Sequence, residues 1–194
     1  MESNQLDINT RQQLREWLQK NHNTAKDGWV ACLFKKEMEG KLLYLDLVEE
    51  CLCFGWIDST QKSLGDGWRL QRISPRGKKS NWTQLNKERV ERLQKLGLMT
   101  EAGYKILPDL HFTVMPQILQ ELQSDKQIWE NYQKLPELYK RIRLDNIQVW
   151  YNKDKDLYQN RLQKFLDNTK LGLLYGEWND NGRLLEFTND CKNS

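Results

Sequence analysis

Cys53-Phe54-Gly55-Trp56-Ile57-Asp58-Ser59, then Gly65-Asp66-Gly67, then Trp68-Arg69-Leu70-Gln71-Arg72-Ile73-Ser74-Pro75-Arg76 is the stretch that decides the fold. Just upstream, Leu43, Leu47, Val48, Cys51 and Leu52 recur at helical spacing, so an amphipathic helix runs into this segment. Gly55 suits its C-cap, because glycine adopts the left-handed backbone that ends helices. Beyond it, residues 57–63 and 68–73 alternate in polarity. Two alternating runs around Gly65-Asp66-Gly67 predict a β-hairpin.

Working outward, residues 29–34 are apolar on both faces, as in a buried strand, and Glu39-Gly40 turns it. Asn9 or Thr10 caps a first helix, with Gln12 or Gln13 completing a capping box and Leu14, Trp17 and Leu18 as its stripe, to about Lys20. Downstream, Asn81 or Thr83 caps a helix that Gly97 stops. Thr100 opens another, ended by Pro108. Residues 117–169 read as three helices with breaks at Ser124, Pro136 and 152–154. From Lys170 the chemistry is that of turns.

The expected fold class is therefore α+β. It has a small antiparallel sheet of about three strands (near 29–36, 56–63 and 68–74) packed with helices, then a helical C-terminal half. Residues 1–108 form the α+β domain carrying the motifs, 109–169 a helical part of the same compact unit, and 170–194 a turn-rich tail. Residues 108–116 are the best linker candidate.

The totals fit this picture. The 194 residues suffice for a core without staples, and eight Trp argue against disorder. Mean hydropathy is −0.84, and no apolar run approaches the length of a membrane span. The N-terminal sequence shows neither a basic n-region nor an apolar h-region, so no signal peptide is expected. Cys32, Cys51, Cys53 and Cys191 are too few for a disulfide scaffold. Cys32 and Cys51 read as small core hydrophobes, implying a reduced, cytoplasmic setting.

Net charge is +3, but residues 61–105 hold eleven Lys/Arg and four acids. Such a sector suggests an anionic partner. A solvated helix face explains Lys87 to Lys95; it explains Trp68 to Lys79 poorly, because five basic residues there have no acid.

Several chemistries are set aside. A Ser-His-Asp triad needs an oriented imidazole, and His22 and His111 both sit in polar or proline-flanked segments. Cys51-Leu52-Cys53 lacks the CxxC spacing of a metal or redox motif, so no metal is expected. Gly77-Lys78-Lys79-Ser80 ends like a phosphate loop, but the position needing the first glycine is Arg72. No cofactor is expected.

What survives is a basic loop entering a helix N-terminus, where backbone N–H groups hold anions. Arg72, Arg76, Ser80 and Asn81 are its side-chain partners, with Arg72 and Arg76 as a bidentate clamp. Trp56 is the expected stacking floor and Asp58, beside Ser59, an orienting acceptor; Trp82 completes the aromatic set. Asp58 paired with Arg72 across the hairpin is the plain alternative. The favoured reading is a non-enzymatic site for a small anionic ligand or acidic peptide. One rival is single-stranded nucleic acid on the same surface, through aromatic and basic residues, although a pI of about 8.6 is low for that. Another is an enzyme using Asp58 or a Cys53 activated by nearby arginines.

These motifs, with residues 29–36, Ser80-Asn81-Trp82 and Asn86-Lys87-Glu88-Arg89-Val90, resemble the YdeI/OmpD-associated family, also labelled bacteriocin-protection proteins. The similarity covers roughly 11–105 and extends through the helices to about 169. Tyr175-Gly176-Glu177-Trp178-Asn179-Asp180 resembles an extension typical of one branch. The resemblance implies a role in tolerance of antimicrobial peptides and association with an outer-membrane porin in the periplasm. The expectation of no export signal departs from that. It implies no catalytic residues.

Overall fold

A computed structural model describes residues 4–35, 38–78 and 80–187; Lys36, Lys79 and Cys191, which enter the sequence reading, lie outside the described residues. The architecture is α+β, with a three-stranded antiparallel sheet and a helical C-terminal half. Contacts group the chain into two compact units, 1–82 with 89–109 and 83–88 with 110–194. The boundary falls at Asp109, inside the expected linker, and the first residues of the third helix group with the second unit.

In the first unit, α1 (Arg11–Asn21) starts at Thr10, whose hydroxyl accepts from Gln13 N while the Gln13 side chain returns to the Thr10 N–H. That capping box selects Thr10 and Gln13 from the sequence alternatives. β1 (Gly28–Leu33) follows, ending before the expected 36. α2 (Tyr44–Cys53) buries Leu47, Val48, Cys51 and Leu52. β2 (Trp56–Gly65) and β3 (Trp68–Pro75) form the expected hairpin. Asp66 and Gly67 both have positive φ (49° and 83°), the twist that two-residue hairpin turns require.

The sheet order is β1-β3-β2. Trp29 faces Arg72, and Asp58 faces Ile73. Pairing slips between Ser63 and Gly65 and again between Asp58 and Gln61, each time with one extra residue in β2. Bulges of this kind re-aim the side chains beyond them. Buried Gln71 closes the second bulge: its amide donates to the carbonyls of Ser59 and Thr60, both at 3.2 Å. Thr83 caps α3 (Gln84–Lys95), accepting from Asn86 N. α4 (Glu101–Tyr104) is a single turn capped by Thr100.

Among the described residues of the second unit, the stretch expected to hold three helices holds four: α5 (Pro116–Gln123), α6 (Lys126–Lys134), α7 (Glu137–Gln148) and α8 (Lys155–Lys170). α6 is the helix not read from sequence; Asp125 caps it through Gln127 N and Ile128 N. Its core joins Tyr132, Tyr139 and Phe165 with Ile118, Leu122 and Leu162. The tail is not free turn. Tyr175 and Trp178 pack on that core, and a 3₁₀ turn at Arg183–Leu185 sets Leu184 against Leu138 and Ile142.

Candidate functional site

A cavity of about 800 Å³ opens in the first unit at the end of the β2–β3 ladder. α1 contributes Arg15 and Gln19 to it, with His22 just beyond the helix end. The end of α2 and the start of β2 give Phe54, Gly55 and Trp56. The end of β3 gives Pro75 and Arg76, and the α4 region gives residues 100–102, Lys105 and Ile106. Two glycines let these elements meet. A Cβ on Gly55 (φ 73°) would lie 2.9 Å from the Ala102 carbonyl, and one on Gly103 would strike the Cys53 carbonyl.

Arg76 is the decisive residue. Its N–H extends the sheet pattern to Gly55 O at 2.9 Å. It is only 7% exposed, its guanidinium lies 4.1 Å from the Trp82 ring, and Nη1 donates to Asn81 O at 3.1 Å. Nε is buried with no acceptor among the described residues. Burial lowers the pKa of this guanidinium, against the attraction of Asp58. A buried cation needs a partner, and a donor left unmade carries the desolvation cost of about 1–3 kcal/mol or more.

Asp58 is a second focus. Its Oδ2 accepts the Tyr44 hydroxyl at 2.8 Å. Arg76 attracts it without forming an ion pair among the described residues. Tyr44 is pushed well above its ordinary pKa by burial and by Asp58, while buried Arg89 acts the other way. Tyr44, Asp58, Arg76 and Arg89 therefore form one electrostatic cluster, and Arg76 also lines the cavity.

Sequence and structure part company over several residues. Arg72 does not join Arg76. It faces Trp29 on the sheet, one position from the residue opposite Asp58, so it projects to the other face. There it donates Nε and Nη2 to Asp27 Oδ2 at 3.1 and 2.6 Å. That removes both the two-arginine clamp and the Asp58–Arg72 pair. Trp56 offers no stacking floor, because it is 1% exposed and Trp17 closes it edge-on at 5.6 Å. Its indole N–H goes to His22 O.

Ser59 spends its hydroxyl on Arg72 O, and Ser80 folds a turn onto Gly77. Exposed Asn81 takes part through its carbonyl, and Trp82 through its ring. The expected anion cradle at the N-terminus of α3 is already filled: Gln84 N–H donates to Asp145 Oδ2 at 2.9 Å.

The basic sector is not one surface. Arg76 and Arg89 are buried, Arg72 pairs with Asp27, Arg92 with Glu49 and Lys105 with Glu101. Glu88 is also buried, so the stretch from Lys87 to Lys95 is no simple solvated face. Cys53 is buried, and burial pushes its thiol up to about 12 although Arg15 and Arg11 act in the opposite direction. Such a shift favours the thiol over the thiolate that acts as a nucleophile.

Residues 6–106 match the family described as a domain of unknown function, DUF8412, which is more than half of the chain. The chain belongs to that family. No curated protein and no solved structure matches it. The whole cavity lining, from Arg15 to Ile106, and the Tyr44–Asp58–Arg76–Arg89 cluster lie within the DUF8412 match.

A buried network that the sequence reading missed stiffens one wall of this DUF8412 site. Glu49 and Glu50 are each 1% exposed on α2. Glu49 takes Arg11 at 2.7 Å and Arg92 at 3.0 Å; Glu50 takes Arg11 at 2.7 Å and Arg15 at 2.8 Å. Burial works against the Arg11 charge, but Glu49, Glu50 and Asp46 outweigh it and raise its pKa. Arg15, which lines the cavity, is held by Glu50 and by Leu98 O. Helical spacing of Arg11 and Arg15 was the available signal; their acidic partners lie over thirty positions on.

Among the described residues no helix is long and apolar enough to cross a membrane, and no cluster of His, Cys, Asp and Glu fits a metal ion.

Proposed function

We propose that the protein is a non-enzymatic binding protein that takes a small anionic ligand or an acidic peptide at the DUF8412 cavity. One observation carries this reading: buried Arg76, in the cavity wall, with an unsatisfied Nε–H and no carboxylate partner among the described residues. A carboxylate or phosphate matches the guanidinium fork and satisfies the orphaned donor. The volume suits a small molecule, since ligand cavities run to about 300–1,000 Å³. Arg15 and Lys105 reinforce the positive sign, and Glu101 alone opposes it among the described lining residues. Asp58, bonded by Tyr44, supports the Arg76 charge from behind the cavity lining.

The protonated state of buried Cys53 supports binding over covalent chemistry. The resemblance to YdeI/OmpD-associated proteins extends the proposal to antimicrobial-peptide tolerance.

A thermal-shift panel tests the reading, with carboxylates, sugar phosphates, nucleotides, acidic peptides and short oligonucleotides at low and high salt. Binding to the native state raises the melting temperature by mass action. The expected result is a rise with one class of small anion that Arg76→Met abolishes. A rise with oligonucleotides alone, erased by salt, would replace this reading with nucleic-acid binding.

A further inference from the structure

Outside the DUF8412 match, Arg143, Arg161 and Lys164 line a second cavity, of about 330 Å³, with Asn146, Ile147 and Tyr175. α7 supplies Arg143, α8 supplies Arg161 and Lys164, and the tail supplies Tyr175. Each cation is fixed by an aromatic ring. Arg143 lies 4.9 Å from Tyr175, Arg161 5.2 Å from Trp150, and Lys164 Nζ 5.0 Å from Tyr175. Carbonyls orient the two guanidiniums further: Arg143 Nη2 donates to Glu177 O at 2.6 Å, and Arg161 Nη1 to Asn146 O at 2.8 Å.

Among the described residues no carboxylate lines this cavity. Arg143 Nε is buried with no acceptor among the described residues. Arg143 and Arg161 both draw the Tyr175 hydroxyl down against the burial that raises its pKa, so both charges lie near the phenol. Tying down the tail accounts for Arg143. It does not account for two more cations brought to the same hollow, where like charges repel.

We infer that this second cavity binds phosphate, free or as a small monoester, with Arg143 and Arg161 as forked donors and Lys164 as the point charge. Three cations match a dianionic, tetrahedral group better than a single carboxylate. The volume, at the lower end for ligand sites, admits a phosphate group with a short substituent. The site shares no residue with the first cavity and does not rest on the reading proposed for it.

Isothermal titration of the full chain tests this with inorganic phosphate, phosphoserine and malonate, alongside co-sedimentation with phosphatidic acid vesicles. Arg161→Gln/Lys164→Gln is the variant to compare, because it leaves the Arg143–Glu177 contact in place. The expected result is saturable phosphate binding that this variant weakens at least about tenfold, with a cooperative unfolding transition retained in the variant and with binding intact in Arg76→Met. Lys164→Gln alone gives a smaller loss in the same direction. Equal binding by wild type and the double variant, preference for malonate, or absence of phosphate binding would overturn the assignment. Vesicle binding without binding of free phosphate or phosphoserine would overturn it in favour of a lipid surface.

Discussion

Arg72 and Asp27 form an ion pair, at 2.6 and 3.1 Å to a single carboxylate oxygen, and it lies on the sheet face opposite Asp58. The pair separates two arginines that sit four positions apart in sequence and gives them different work. Arg72→Ala is therefore expected to leave anion binding unchanged and to cost at most about 1 kcal/mol, as for partly exposed pairs. Chemical denaturation beside the binding titration checks both halves.

The same pair predicts acid sensitivity. Hydrogen bonds from Asn4 and Arg72 hold the Asp27 carboxyl below its ordinary range. A depressed carboxylate pKa stabilises the fold above its unfolded value, about 4, and that stability disappears as pH falls through the folded value. Asp27→Asn should flatten the loss of stability below about pH 4. A denaturation midpoint that falls just as steeply in the variant would remove Asp27 from the explanation.

Alkali should act from the other side. Burial raises Cys32 and Cys53 from an ordinary 9.0 to about 12, and raises Cys51 and Tyr44 as well. These groups favour the folded state while protonated. Their contribution is complete below the unfolded thiol value and fades as pH rises through the interval to the folded one. Melting temperature should drop between pH 9 and 12, and Cys53→Ala should soften the drop. In the native state Cys53 should resist alkylation at pH 7 and react only on unfolding. Rapid native alkylation would revive the nucleophile reading.

Glu50→Gln removes one charge from the buried Arg11–Arg15–Glu49–Glu50–Arg92 network. Breaking a buried pair by removing one member costs about 3–5 kcal/mol. Glu130→Gln, in the exposed pair with Lys126, should cost under about 1 kcal/mol. Comparable costs for the two would show that the network is solvated.

Gly103→Ala places a methyl group against the Cys53 carbonyl, where α4 closes the cavity floor. The approach involves backbone, so relief requires α4 to move. A loss of about 1–3 kcal/mol is expected, as for overpacking, together with weaker binding at the first cavity. Unchanged stability would mean that α4 shifts freely.

Local chemistry was legible in the sequence, and long-range pairing was not. The capping box at Thr10, the stripe of α2 and the turn at Asp66-Gly67 are decided by neighbours in sequence, and each is found where the residues place it. The register of β2 is different. An extra residue at each slip moves Asp58 opposite Ile73, and no pattern of alternation reveals a bulge closed by the amide of Gln71. Arg72 finds Asp27 forty-five positions away. Trp56 reads as a site aromatic because it neighbours Asp58, yet its fate is set by Trp17 on α1. Arg76 and Trp82, six positions apart, meet through local chain reversal, with Ser80 N–H bonded to Gly77 O between them.

The most direct measurement is of the Arg76 Nε–H itself, by nitrogen-15 NMR, assigned by its loss in Arg76→Lys. That proton is buried and has no acceptor among the described residues. Titration with the anion that shifts the melting temperature should move its resonance downfield as a hydrogen bond forms, while the Arg72 Nε–H, already bonded to Asp27, stays in place. An Arg76 signal that does not respond while the ligand saturates would contradict the central claim.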